Sequence, residues 1–120
     1  MPRFLAVYTM KPEDLAAFRA RPKSEQEEID EVGLKAWEEW RKRNAAAIIA
    51  PDVMVGKTRR VTRSGIADAQ NHIAGVLIVD AADIVAAAAL FQDHPHITIF
   101  PGDGVDVMPV VTGSPEDLPP

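Results

Sequence analysis

The forty residues from His72 to Val111, HIAGVLIVDAADIVAAAALFQDHPHITIFPGDGVDVMPVV, decide the fold. His72 to Asp80 reads as a strand with Val76 and Ile78 on one face and Leu77 and Val79 on the other. All four are hydrophobic, so both faces of its sheet need cover. Ala81 to Gln92 reads as an Ala-rich helix, with Asp80 and Asp83 near its start as cap or dipole partners. Asp93 to Phe100 carries a His-Pro-His connector. Pro101 to Gly104 is a turn, and Val105 to Val111 reads as a closing strand.

Outward from that stretch, Arg3 to Met10 is another strand. Phe4, Ala6, Tyr8 and Met10 lie opposite Leu5, Val7 and Thr9, again apolar on both sides. Lys11 to Ala20 is a short helix with Pro12 in its first turn, ended by Pro22. Ser24-Glu25-Gln26-Glu27 is a capping-box pattern that opens a long helix. Its stripe is Ile29, Val32, Ala36, Trp40 and Ala47, with Trp37 beside it. Gly33 interrupts it at a point suited to close packing. Asp52 to Thr62 is the most polar strand, Arg63 to Gly65 a turn, and Ile66 to Asn71 an irregular link. The order β-α-β-β-α-β predicts an α+β, ferredoxin-like domain over residues 1–111: a four-stranded antiparallel sheet with its helices on one face. Thr112 to Pro120 has the composition of a flexible tail. The uncovered, apolar sheet face predicts a homodimer, a dimeric α+β barrel.

Composition narrows the function classes. The chain has 120 residues, no cysteine and a net charge of −5. Thiol catalysis, disulfides and zinc-thiolate sites are excluded. The cations near Lys57 to Arg63 alternate between strand faces, so neither nucleic acid nor membrane is an expected partner. The N-terminus lacks the pattern of a signal peptide, which makes the cytoplasm the expected location.

Several motifs resemble the YCII-related family of dimeric α+β-barrel proteins. Ser64-Gly65-Ile66-Ala67-Asp68-Ala69-Gln70-Asn71, leading to Ala74-Gly75, stands where the family carries Asp-Gly-Pro-Phe-Ala-Glu-Thr-Lys-Glu and a later Gly-Gly. Gly65, Ala67 and Gly75 agree and Asp68 keeps a carboxylate; Ser64 and Gln70-Asn71 drop charges the family has. A subgroup is closer. It shares Trp37-x-x-Trp40, the strand form Gly75 to Asp80, His94-Pro95-His96 and the closing pattern Gly104 to Pro109. The resemblance spans residues 3–111. It implies a small cofactor-free protein, with lyases, isomerases and dehalogenating enzymes among the activities proposed for the family.

The residues that could carry chemistry are few. His94 and His96 are the candidate catalytic acid or base, because imidazole titrates near neutral pH. The alternative is a corner whose rings satisfy loop backbone. A metal at the His pair would need further ligands from Asp93, Asp103 or His72; no cofactor is expected. Trp37, Trp40 and Tyr8 are candidate ligand-binding residues, with packing as the leading reading of each. Asp106, a carboxylate on an apolar strand, is a further ligand-binding candidate, set against a solvent-facing position. Two functions follow. One is a small enzyme moving a proton on a small organic molecule. The other is a non-catalytic binding or interaction module acting as a homodimer.

Overall fold

A computed structural model describes residues 1–111; the predicted tail lies outside the described residues. The elements are β1 (Arg3–Thr9), α1 (Pro12–Arg19), α2 (Lys23–Arg43), β2 (Ile48–Met54), β3 (Thr58–Thr62), β4 (Gly65–Ala69), β5 (Ile73–Asp80), α3 (Ile84–Ala89), α4 (Pro95–Thr98) and β6 (Gly104–Pro109). The main sheet is antiparallel in the order β2-β5-β1-β6. Set aside the small β3–β4 hairpin, and this is the ferredoxin-like order expected from the sequence.

Alternation along β1 and β5 sorts the residues. Phe4, Ala6 and Tyr8 of β1, with Leu77 and Val79 of β5, are buried under the helices. They are joined there by Val105 and Val107 of β6, which pair with Tyr8 and Ala6. The opposite face carries Leu5, Val7, Val76, Ile78 and, more exposed, Val53 and Met108. Among the described residues no element covers it.

Helix α2 covers the inner face through Gly33, Trp37 and Trp40. The seam is shifted from the expected stripe, because Val32 is exposed and Gly33 is buried. The ring of Phe100 lies against Gly33 so closely that a methyl group there would overlap it. Glycine is what lets the segment after α4 approach the helix. The capping box at Ser24 does not form. The helix begins one residue earlier, after Pro22, whose fixed φ and carbonyl start the turn; no side chain caps it. At α3 the cap is Asp83, accepting from the Ala86 amide at 2.8 Å. That helix is shorter than predicted and tightens into turns after Ala89.

Three further expectations are corrected. The strand predicted over Asp52–Thr62 is two strands: β2 starts at Ile48 and absorbs Pro51 in an irregularity between Ala50 and Val53. The link over Ile66–Asn71 contains β4, which pairs with β3 as a hairpin across Arg63-Ser64. Gly65 supplies the positive φ of 133° that this tight turn requires. The connector over Asp93–Phe100 holds the helical turn α4, with Pro95 in the first-turn position that suits a residue lacking an N–H.

Candidate functional site

Tyr8 sits near the C-terminal end of β1, wholly buried, and the two histidines come to it from α4. Its ring packs edge-on against Trp37 at 5.1 Å and lies 5.1 and 5.2 Å from the His94 and His96 rings. Trp37 and Trp40 flank His94 at 4.4 and 4.6 Å. The structure therefore brings together five of the six candidate residues. Asp106 is the exception. It pairs with Val7, so it is exposed on the far face of the sheet.

The two imidazoles have different surroundings. His94 is the N-cap of α4, and its Nδ1 accepts from the His96 amide at 3.0 Å. That places the neutral ring's proton on Nε2, 3.5 Å from the Tyr8 hydroxyl. Both ring nitrogens are thus committed within the core. Burial and, to a smaller degree, the neighbouring His96 lower the His94 pKa from 6.5 to about 4 against the opposing pull of Asp52. Burial also raises the Tyr8 hydroxyl, with the Asp52 carboxylate adding to the effect, so it stays protonated.

His96 is turned the other way. Its Nε2 lies 2.7 Å from the Thr9 carbonyl oxygen, an acceptor only, so Nε2 carries the proton and Nδ1 is left as the basic nitrogen. Gly102 backs the ring at a distance no side chain could share. Burial lowers the His96 pKa, with the Thr9 bond and Asp103 opposing it.

His96 opens onto a cavity of about 340 Å³ between α2 and β2. Its walls are Met10, Leu34, Trp37, Met54 and Phe100, with Arg41 and Asp52 as the other polar groups. Asp52 accepts from the Trp37 indole N–H at 2.6 Å and from Arg41 at 3.2 Å. Arg41 also pairs with Glu38 one turn earlier on α2. One carboxylate thus fixes an indole and a guanidinium at the cavity wall. The half-exposed guanidinium keeps donors free for an anionic oxygen. Trp40 stands outside this cavity, its indole N–H donating to the Leu90 carbonyl at 2.9 Å, a packing role.

Sequence reasoning missed Asp52, Arg41 and the apolar lining. By sequence Asp52 reads as the start of a strand, where no pattern distinguishes a polar end from a wall residue. Arg41 belonged to a basic helix end, a common surface feature. Among the described residues no group of three His, Asp or Glu side chains is gathered to hold a metal, and His72 is exposed at the start of β5. Among the described residues no helix is long and apolar enough to cross a membrane.

Fold and cavity together define a ferredoxin-like α+β protein with a polar-edged apolar pocket beneath its long helix. Neither a protein-family model nor a curated protein sequence matches the chain. Among solved structures, 5-chloro-2-hydroxyhydroquinone dehydrochlorinase (TftG) from Burkholderia phenoliruptrix AC1100, in complex with 2,5-dihydroxybenzoquinone, is similar at a TM-score of 0.53 and 12% identity. The match covers 88% of this chain and 90% of that one. At this identity the likeness is one of fold.

Proposed function

We propose that the protein is a small enzyme that moves a proton on a small organic molecule without a cofactor, using His96 as the base. The carrying observation is the convergence of His96, Arg41 and Asp52 on one apolar cavity. A neutral imidazole whose Nε2–H is held by a backbone carbonyl has a fixed tautomer, with Nδ1 as the proton acceptor. Its lowered pKa keeps it neutral at physiological pH. Proton removal next to a carbonyl, or from a phenol, leaves charge on an oxygen. Arg41 is the donor for that oxygen, and Trp37 and Phe100 are flat walls for a ring. The proton then returns to a second atom of the substrate, or a leaving group departs. His94, the other candidate, is in this reading the cap and packing piece that seats α4, and Tyr8 and Trp37 hold the floor. The motif resemblance to YCII-related proteins and the fold shared with a dehydrochlorinase support an enzyme of this type.

A homodimer completes the reading. Its support is the apolar outer face of the main sheet, which a second copy would cover.

The test uses 2,5-dihydroxybenzoquinone, the compound bound by the similar structure, as a probe in isothermal titration. Saturable binding, weakened at least about tenfold by His96→Gln and by Arg41→Met, is the expected result. Binding unchanged in both variants would overturn the assignment of this cavity.

A further inference from the structure

The β3–β4 hairpin is the part of the chain least explained by its own fold. It is held by its own ladder and by Asn71 donating to Thr58 at 3.0 Å; its contact with other elements is marginal. A lone two-stranded ribbon in water is marginal in stability. The cross-strand pairs place Val61 and Ile66 on one face beside the Arg59–Asp68 pair. Val61 is 74% exposed and Ile66 63%. The ribbon therefore ends in an apolar pair that packs on nothing else among the described residues. Its charge is lopsided as well: Lys57, Arg59, Arg60 and Arg63 stand against Asp68 alone, with Arg59 on the Val61 face and Arg60 on the other.

The complement lies on α2 of the same chain. Glu27, Glu31, Leu34 and Glu38 follow the spacing of one helix face. All four are exposed, and Leu34, 63% exposed, sits between carboxylates. An apolar side chain flanked by acids matches an apolar pair flanked by bases. Both features lie on every copy, so a symmetric pair of arms satisfies both at once.

We propose that the hairpin is an exchange arm that docks, through Arg59, Val61 and Ile66, on the Glu27–Glu38 face of α2 in a second copy of this chain. The proposal rests on the homodimer of the preceding reading and adds to it. Leu34 lines the cavity, so the docked arm closes its rim and each pocket is finished by the other copy.

Sedimentation equilibrium of Arg59→Glu and of Glu31→Lys, alone and mixed, is the test. Each variant alone faces two like-charge contacts, and its dimer dissociation constant should rise at least about tenfold. In the mixture the reversed arm meets the reversed helix while the other contact is native, so heterodimers should form with near wild-type affinity. Because Glu31 lies outside the hairpin, its effect cannot come from a misfolded ribbon. A wild-type dimer that neither variant weakens, or variants that weaken it without recovery on mixing, would overturn the arm and leave sheet-face pairing standing. A wild type that is monomeric at micromolar concentration would overturn both. Val76→Glu, on the outer face of β5, reports sheet pairing separately.

Discussion

Substituting His94 by Asn isolates one titration in the stability of the fold. The neutral imidazole is the form the core accepts: its Nδ1 caps α4 and its ring is walled by Trp37, Trp40, Tyr8 and Phe91. Its native pKa is about 4, against an ordinary value of 6.5. The unfolded chain therefore binds the extra proton more readily than the native one. Stability from this group is fully present above pH 6.5 and drains away as the pH falls toward 4. At pH 5.0 the unfolded imidazole is almost wholly charged and the native one about one-tenth charged. The two protonation factors then differ about 30-fold, which is about 2 kcal/mol lost relative to pH 7.5. Asn can still accept from the His96 amide, since it is a good N-cap, but it cannot titrate. Urea unfolding followed by circular dichroism, at one protein concentration and at pH 7.5 and 5.0, reads both losses. The variant will be less stable at both values because the smaller side chain leaves a cavity. Its loss between the two should nevertheless be smaller than that of the wild type by about 2 kcal/mol. His96 titrates with the same sign in both proteins and cancels from the comparison. Equal losses in the two proteins would refute the account of His94 as a neutral, buried cap.

Two other perturbations test the packing around the cavity. Gly33→Ala adds helix propensity worth about 1 kcal/mol but drives a methyl into the Phe100 ring, costing about 1–3 kcal/mol. Urea midpoints should show net destabilisation, reversed in a Phe100→Leu background; an additive pair would disprove the contact. Trp37→Phe removes the 2.6 Å donor to Asp52 and leaves a largely buried carboxylate under-satisfied, a loss of about 1–3 kcal/mol by equilibrium unfolding. A change below about 0.5 kcal/mol would mean that solvent or Arg41 takes over the bond.

How far the chain could be read depended on where hydrophobic alternation was strong. Along β1 and β5 both faces are apolar, so the strands and the spare sheet surface are legible from the sequence. Pro51 and Pro95 carry opposite lessons. A proline suggests a break, yet the edge strand β2 absorbs Pro51 in its irregularity. Pro95 opens α4, in the first-turn position that needs no N–H. In the hairpin, the Ser64-Gly65 turn was visible, but Ala67, Asp68 and Ala69 give no alternation to declare a strand. The site divided likewise. The aromatic and imidazole members stood out as rare residue types. Asp52 and Arg41 are ordinary residues made special by an eleven-residue return of the chain, from the end of α2 back along β2, and no local spacing encodes that.

The two outer strands of the main sheet each contain a proline, Pro51 in β2 and Pro109 at the end of β6. Pro109 removes a donor from the rim where an incoming strand would add, since the next amide, Val110, already bonds inward to Arg3, and β2 is buckled around Pro51 by its register shifts. In the proposed homodimer, such a sheet would close as a stack of two rather than lengthen strand by strand as an open ribbon. The apolar face that would pair two copies is a different surface from the rims that would build a fibre.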